Sequence, residues 1–411
     1  MCIKISMVLF FLSLFFNIYN QTLTNKPVFT TTTTQIEFVK DSTVYPGIYN
    51  FFEDLEQINN KKIGIVTNQT GIIENTHLVD SLLKRKQNIV KIFCPEHGFR
   101  GDADAGATIN NSIDKKTGLP IISLYGNNKK PSGEQLKGID IIIFDLQDVG
   151  VRFYTYISTL HYVMEACAEN KIPLIVLDRP NPNAHYIDGP VLDTTNCRSF
   201  IGMHSVPVVY GMSIGEYAKM INGEKWLKNG IICDLTIIPC KNYSHSKKYS
   251  LPVRPSPNLP NDRSILLYPT ICLFEGTTFS VGRGTDKQFQ ILGHPEMENI
   301  KSADYQFVPQ ANYGDKNPVF NGKTCFGFDL SENTSYSFDN QINIKFIKII
   351  YDLFPNKNTF FKKTNSFDLL AGNKILRQQI INGISEDEIR KSWQKELENF
   401  KKIRQKYLIY D

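Results

Sequence analysis

Short apolar runs rich in β-branched residues recur along the first half of the chain, at residues 63–67 (IGIVT), 89–94 (IVKIFC), 121–125 (IISLY), 139–145 (IDIIIFD) and 172–178 (IPLIVLD). Amphipathic stretches at 76–86 and 154–170 separate them. Continuous apolar strands divided by helices predict a parallel sheet covered on both faces, because each strand then has no solvent face to carry polar residues. The expected fold class is therefore α/β, with a Rossmann-like parallel-sheet domain over 44–250. The proline-rich stretch 251–260 (LPVRPSPNLP) excludes regular helix and marks a junction near Ser250. Beyond it come an apolar piece, a glycine loop and late helices. Ser385 and Glu388 form a capping box that opens a helix running through Trp393 and Phe400. A smaller α+β C-terminal domain over 251–411 follows.

The beginning of the chain has a different character. One early cation, Lys4, precedes the apolar run 5–16 (ISMVLFFLSLFF) and the polar Asn17, Tyr19 and Asn20. Residues 1–20 read as a signal peptide, which predicts an exported protein, periplasmic or extracellular. The run is shorter than the roughly 20 residues that cross a bilayer, so no stable membrane span is expected after cleavage. Residues 21–43, with five consecutive threonines from Thr30, read as a linker.

At 411 residues, 41% hydrophobic and 21% charged, the chain has ordinary globular composition. Its formal charge of +5 is spread without a basic block, so no nucleic-acid partner is expected. Seven cysteines follow the signal, none in a C-x-x-C pair and several inside apolar runs, which predicts buried thiols and no metal site.

In open parallel sheets, ligands bind beyond the carboxyl ends of the strands. Four predicted strands end in polar clusters: Thr67-Asn68-Gln69, Pro95-Glu96-His97-Gly98, Asp145-Leu146-Gln147-Asp148 and Asp178-Arg179-Pro180-Asn181-Pro182. Acids, amides and cations at all four predict a site on that rim. Gly282-Arg283-Gly284 lacks the third glycine of a dinucleotide loop, and no phosphate-loop motif occurs, so no cofactor is inferred. Gly211-Met212-Ser213-Ile214-Gly215 supports two readings. After the strand-like 206–210, and with Asp286 and His294 downstream, it fits the nucleophile elbow of a serine esterase. With Glu216 it is equally S-x-x-E, a helix cap.

Taken in order, PEHGFRGDADAG (95–106), DVGVRFYTY (148–156), DRPNP (178–182), SPNLP (256–260) and CLFEGTTFSVGRGTDKQF (272–289) resemble the exo-β-N-acetylmuramidases of the NamZ (YbbC-like) type. The resemblance runs from about Val44 to the C-terminal tyrosines. It implies a Rossmann-like domain, a smaller second domain, a cleft between them, and release of MurNAc from the non-reducing ends of peptide-free peptidoglycan glycans. Glycoside hydrolysis ordinarily uses two carboxyl groups. The resemblance makes Glu96, the glutamate of PEHG, the acid/base, and the apolar strand before it offers the partial burial that raises a carboxyl pKa. Asp148 and Glu275 rank ahead of Asp178 and Asp188 as its partner, unless the substrate's acetamido group takes the nucleophile's place. A lactyl carboxylate calls for the planar fork of arginine, for which Arg100, Arg152 and Arg283 are candidates, and Arg179 is a further substrate-binding candidate. Tyr154 and Tyr156 are expected to stack on the sugar, and His97 and Asn181 to hydrogen-bond its hydroxyls. A glycan-binding protein without turnover is the third reading.

Overall fold

The five apolar runs become strands of one seven-stranded sheet. The computed structural model describes residues 42–95, 98–100, 112–332 and 337–411. The signal-like and threonine-rich segments, and the candidates Glu96 and His97, lie outside the described residues. In order, the chain forms α1 (Gly47–Glu53), β1 (Ile63–Thr67), the ribbon β2 (Ile72–Ile73) and β3 (Thr76–His77), α2 (Leu78–Lys84), β4 (Ile89–Cys94), β5 (Ser112–Ile113) and β6 (Pro120–Ser123). Next come α3 (Gly133–Leu136), β7 (Ile141–Asp145), α4 (Tyr156–Asn170), β8 (Leu174–Leu177), α5 (Ile214–Gly223) and β9 (Leu235–Ile238).

The sheet order is β5-β6-β4-β1-β7-β8-β9, parallel throughout except for the edge strand β5. Side chains alternate across the pleat into two separate apolar layers. Ile65, Ile141, Ile143, Ile175 and Leu177 pack on one face, and Val66, Ile142, Phe144, Leu174 and Val176 on the other. Both faces are buried, which is why these strands read as unbroken apolar runs.

Two features differ from the expected pattern. The strand β9 escapes the hydropathy pattern because it lies at the sheet edge, with Thr236 exposed and its apolar residues only half-buried. Residues 206–210, read as strand-like, instead form an extended loop with isolated bridges from Val209 to Val151 and Asp188. Their burial among loops, not in a sheet, accounts for the apolar run.

The chain after residue 260 forms α6 (Asp262–Ile271), the strands β10 (Ile291–His294), β11 (Tyr305–Phe307) and β12 (Cys325–Asp329), then α7 (Ile344–Leu353), α8 (Lys357–Phe360), α9 (Ser366–Ala371), α10 (Ile375–Ile381) and α11 (Glu386–Gln405). The three strands make an antiparallel sheet in the order β10-β12-β11, so this smaller part is α+β. Ser385 and Glu388 cap α11 reciprocally, and Ile389, Trp393, Leu397 and Phe400 bury one face at helical spacing. The seven cysteines from Cys94 to Cys325 are all buried, and no disulfide joins them.

The sheet topology sets the position of the site. After β1 the chain adds β4 and β6 on one side and then returns to place β7, β8 and β9 on the other. The crossovers therefore diverge between β1 and β7, and this switch point opens a crevice beyond their carboxyl ends.

Candidate active site

The loops leaving β1 and β7 meet above that crevice. Asn68, fully buried, accepts from the Thr70 amide at 3.0 Å and the Thr70 hydroxyl at 2.6 Å. Its Nδ2 donates to the Tyr156 hydroxyl at 2.6 Å. The Tyr154 hydroxyl donates to the Pro255 carbonyl at 2.8 Å, and Gln69 Nε2 reaches the carbonyls of Arg254 and Pro255, both at 3.3 Å. The proline-rich stretch is thus fastened across the strand ends.

A cavity of about 330 Å³ opens here, on the scale of a small-ligand pocket. Its aromatic wall consists of Tyr154, Tyr156 and Tyr268, with Tyr154 packed edge-on against Tyr156 at 4.8 Å and Tyr268 at 6.2 Å. Leu369 and Leu370 of α9 close another side. The charged lining is an ion pair. Glu275, on the short helical turn after α6, accepts from Arg283 Nε at 2.6 Å, with both side chains about 30% exposed. The Cys272 thiol donates to the other Glu275 oxygen at 3.4 Å, and burial pushes that thiol's pKa well up, so it stays a donor. Arg283 owes its display to the glycines beside it: Gly282 and Gly284 both have φ of 79°. A Cβ on either would meet backbone oxygen within 2.7 Å. The Gly-Arg-Gly signal thus presents a guanidinium to the cavity.

Among the expected site residues, Tyr154, Tyr156, Glu275 and Arg283 come together here. Four others do not line this cavity. Arg152 is wholly buried, and its Nη groups donate to the carbonyls of Pro190, Val206 and Leu370. Arg179 forms a buried bidentate pair with Asp145, at 2.5 and 3.0 Å. Arg100 is held between Asp80 at 3.3 Å and Asp114 at 2.8 Å. Asn181 donates to the Met212 carbonyl and accepts from the Asn183 amide, both at 2.8 Å. All four are hydrogen-bonded to protein groups in this way. The residues that sequence reasoning missed, Tyr268 and Leu370, sit inside apolar helical patterns and carry no polar signature.

The candidate carboxylates separate in the same way. Asp178 accepts from the Ser213 hydroxyl, the Tyr410 hydroxyl and the Gly215 amide, and Asp188 from the Ile342 amide and Arg390. Asp148 lies outside the cavity lining and is 3% exposed. One of its oxygens accepts from the Gly150 amide at 2.7 Å and from the Tyr210 hydroxyl, while the other is buried with no partner among the described residues. Burial pushes its carboxyl up from 3.8 to about 7, against those two hydrogen bonds. Because the folded pKa is the raised one, the stability linked to Asp148 is full below about pH 4 and is lost as pH rises through about 7, for a total of about 4 kcal/mol. Asp148→Asn keeps the acceptor and abolishes the titration. Its melting temperature is expected to gain on the native chain steadily from pH 4 to pH 8. A constant difference across that range would show that folding does not raise the Asp148 carboxyl above its ordinary value.

Ser213 resolves the ambiguity of its motif. It caps α5 through a complete capping box with Glu216, is fully buried, and donates its hydroxyl to Asp178 at 2.6 Å. His294, the presumptive base of an esterase triad, accepts instead from the Glu296 amide and packs among Phe279, Phe320 and Phe354.

Comparison with known proteins agrees with the order of the motifs. Two family models match the chain: Exo-beta-N-acetylmuramidase NamZ, N-terminal, over residues 63–263, and Exo-beta-N-acetylmuramidase NamZ, C-terminal, over residues 266–410. The peptidoglycan beta-N-acetylmuramidase NamZ of Bacillus subtilis (strain 168) is 41% identical over 390 residues, which cover 90% of this chain and 92% of that protein. A DUF1343 family protein of Bacteroides fragilis, solved as a crystal structure, aligns with a TM-score of 0.82 at 44% identity, covering 90% of this chain and 99% of its own. A second DUF1343 family protein from the same organism aligns at 0.77 with 29% identity and the same coverage.

Proposed function

This chain belongs to the NamZ family of exo-β-N-acetylmuramidases, and from that premise we propose that it is an exported glycoside hydrolase that removes terminal MurNAc from the non-reducing ends of peptide-free peptidoglycan fragments. The observation that carries the reading is the cavity that Tyr154, Tyr156 and Tyr268 line together with the carboxylate of Glu275 and the guanidinium of Arg283. The ring faces suit the apolar side of a pyranose. Arg283 uses Nε for Glu275, and its Nη groups are the donors suited to a lactyl carboxylate. Glu96 is assigned as the acid/base that protonates the leaving oxygen, and Glu275 as the second carboxyl group. Export rests on the signal-like residues 1–20.

The test is incubation of the mature chain with MurNAc-β-1,4-GlcNAc, without added metal, followed by mass spectrometry. Free MurNAc is the expected product, and an intact disaccharide over a folded protein would overturn the reading. The esterase reading gives the opposite forecast for Ser213. Ser213→Ala is expected to lose the cap, about 1–2 kcal/mol of stability, with MurNAc release unchanged. A fluorophosphonate adduct on Ser213 would restore the esterase.

A further inference from the structure

A second cavity, of about 640 Å³, lies on the other side of the turn that bounds the first. Residues 199–202 form a tight turn closed by Ser199–Gly202 hydrogen bonds of 2.8 and 3.1 Å. Ile201 of this turn lines the cavity of Glu275, whereas Phe200 lines the second cavity. The Ser158 hydroxyl fixes the Phe200 carbonyl at 2.7 Å, so the separating turn is anchored to α4.

The lining of the second cavity combines ring faces with cations. Tyr162 and Phe200 lie near-parallel, with 15° between their planes, and Lys129 sits 4.5 Å over the Phe200 ring. Trp226 is half-buried and stacked on His204 at 4.7 Å. Arg198 and Lys228 are exposed cations on the lining. The carboxylate in the lining, Glu165, is already taken by Lys130 at 2.7 Å and by the Lys228 amide at 2.8 Å. The remaining charge is positive. Ser199 and His161 are among the neutral polar residues of the lining. The Ser199 hydroxyl oxygen is buried and has no partner among the described residues. His161 is locked through Nδ1 to His204 at 2.9 Å, and burial lowers its pKa to about 4, so it is uncharged at neutral pH.

We propose that this cavity is a second carbohydrate site, which holds an acidic amino sugar from the interior of a glycan chain. Aromatic faces take the apolar side of the pyranose, Arg198 and Lys228 take a lactyl carboxylate, and Ser199 with His161 take hydroxyl or acetamido groups. The identity of the sugar rests on the proposed function; the charge and the aromatic platform do not. Holding an interior residue of a chain keeps its end near the hydrolytic cavity, which raises effective concentration for long glycans and not for short ones.

The experiment uses intrinsic fluorescence, because the chain has two tryptophans and Trp393 is buried in α11. The probe is the GlcNAc-capped tetrasaccharide (GlcNAc-MurNAc)₂, which offers no terminal MurNAc to the proposed exo activity. A saturable change is expected, at least about tenfold weaker with the neutral GlcNAc tetramer and with Arg198→Glu/Lys228→Glu, and absent in Trp226→Phe. The charge-reversed variant changes exposed residues only and is expected to hydrolyse MurNAc-GlcNAc as the native chain does. The proposal is overturned by the absence of any saturable change up to about 10 mM, by equal affinity for the neutral tetramer, or by a signal that survives Trp226→Phe. Hydrolysis of the disaccharide without tetrasaccharide binding removes this proposal alone. Binding without hydrolysis leaves it standing and removes the exo-hydrolase reading.

Discussion

Glu96→Gln and Glu275→Gln are each expected to lower kcat/KM for a MurNAc-terminated disaccharide by about 10²–10⁴-fold, while Asp148→Asn leaves it within a few-fold. Glutamine keeps the shape of glutamate but neither gives nor accepts the proton in flight, so the loss reads acid/base or nucleophile chemistry separately from packing. The three variants separate because the three groups stand differently. Glu275 lines the cavity with its side chain 29% exposed, whereas Asp148 is buried outside the lining, with one oxygen committed to Gly150 and Tyr210. A bell-shaped pH profile of kcat/KM should lose one limb in the Glu96 variant and the other in the Glu275 variant if the two divide the proton work. Retention of more than a tenth of native kcat/KM by Glu275→Gln would reduce Glu275 to a brace for Arg283, and the same result for Glu96→Gln would move the acid/base elsewhere.

Hydropathy along the chain exposed the sheet because burial on both faces leaves a central strand apolar up to its carboxyl end, as over residues 141–144. It missed Leu235–Ile238, an edge strand with one residue open to solvent. The site was legible to the extent that residue type fixes what a group must do. Glu275 and Arg283 stood out as a carboxylate and a guanidinium in one motif, and they meet at 2.6 Å. Arg152, Arg179 and Asn181 carried the same polar signature and lie outside the cavity lining, because a sequence does not say whether a guanidinium or an amide finds protein partners or a cavity. Tyr268 had no signature at all. It faces the cavity only because α6 passes beside the loop after β7, a tertiary event that leaves no mark on local periodicity. Ser213 shows the converse, where one pattern served both a cap and a nucleophile until burial and the Asp178 contact decided between them.

Arg152→Ala is expected to be the most destabilising single change in these motifs, at about 3–5 kcal/mol, and the loss is one of architecture and not of substrate affinity. The guanidinium is wholly buried and meets backbone carbonyls: Pro190 and Val206 at 2.8 Å from one Nη, Leu370 at 2.9 Å from the other. Burial lowers its pKa to about 10, which still leaves it protonated at neutral pH. Truncation strands three buried acceptors, each at about 1–3 kcal/mol if no water replaces the donor, and opens a cavity besides. Arg152→Lys keeps the charge but brings a single ammonium to sites that a planar fork now spans, so it should fall between the native chain and the alanine variant. Because Leu370 lines the cavity of Glu275, the damage reaches the site by loosening α9. Urea denaturation should therefore show the midpoint falling in the order Arg, Lys, Ala, with KM of the lysine variant near native at temperatures well below its melting transition. A lysine variant of native stability whose KM rises tenfold or more would mean that Arg152 binds substrate and that its carbonyl contacts count for little.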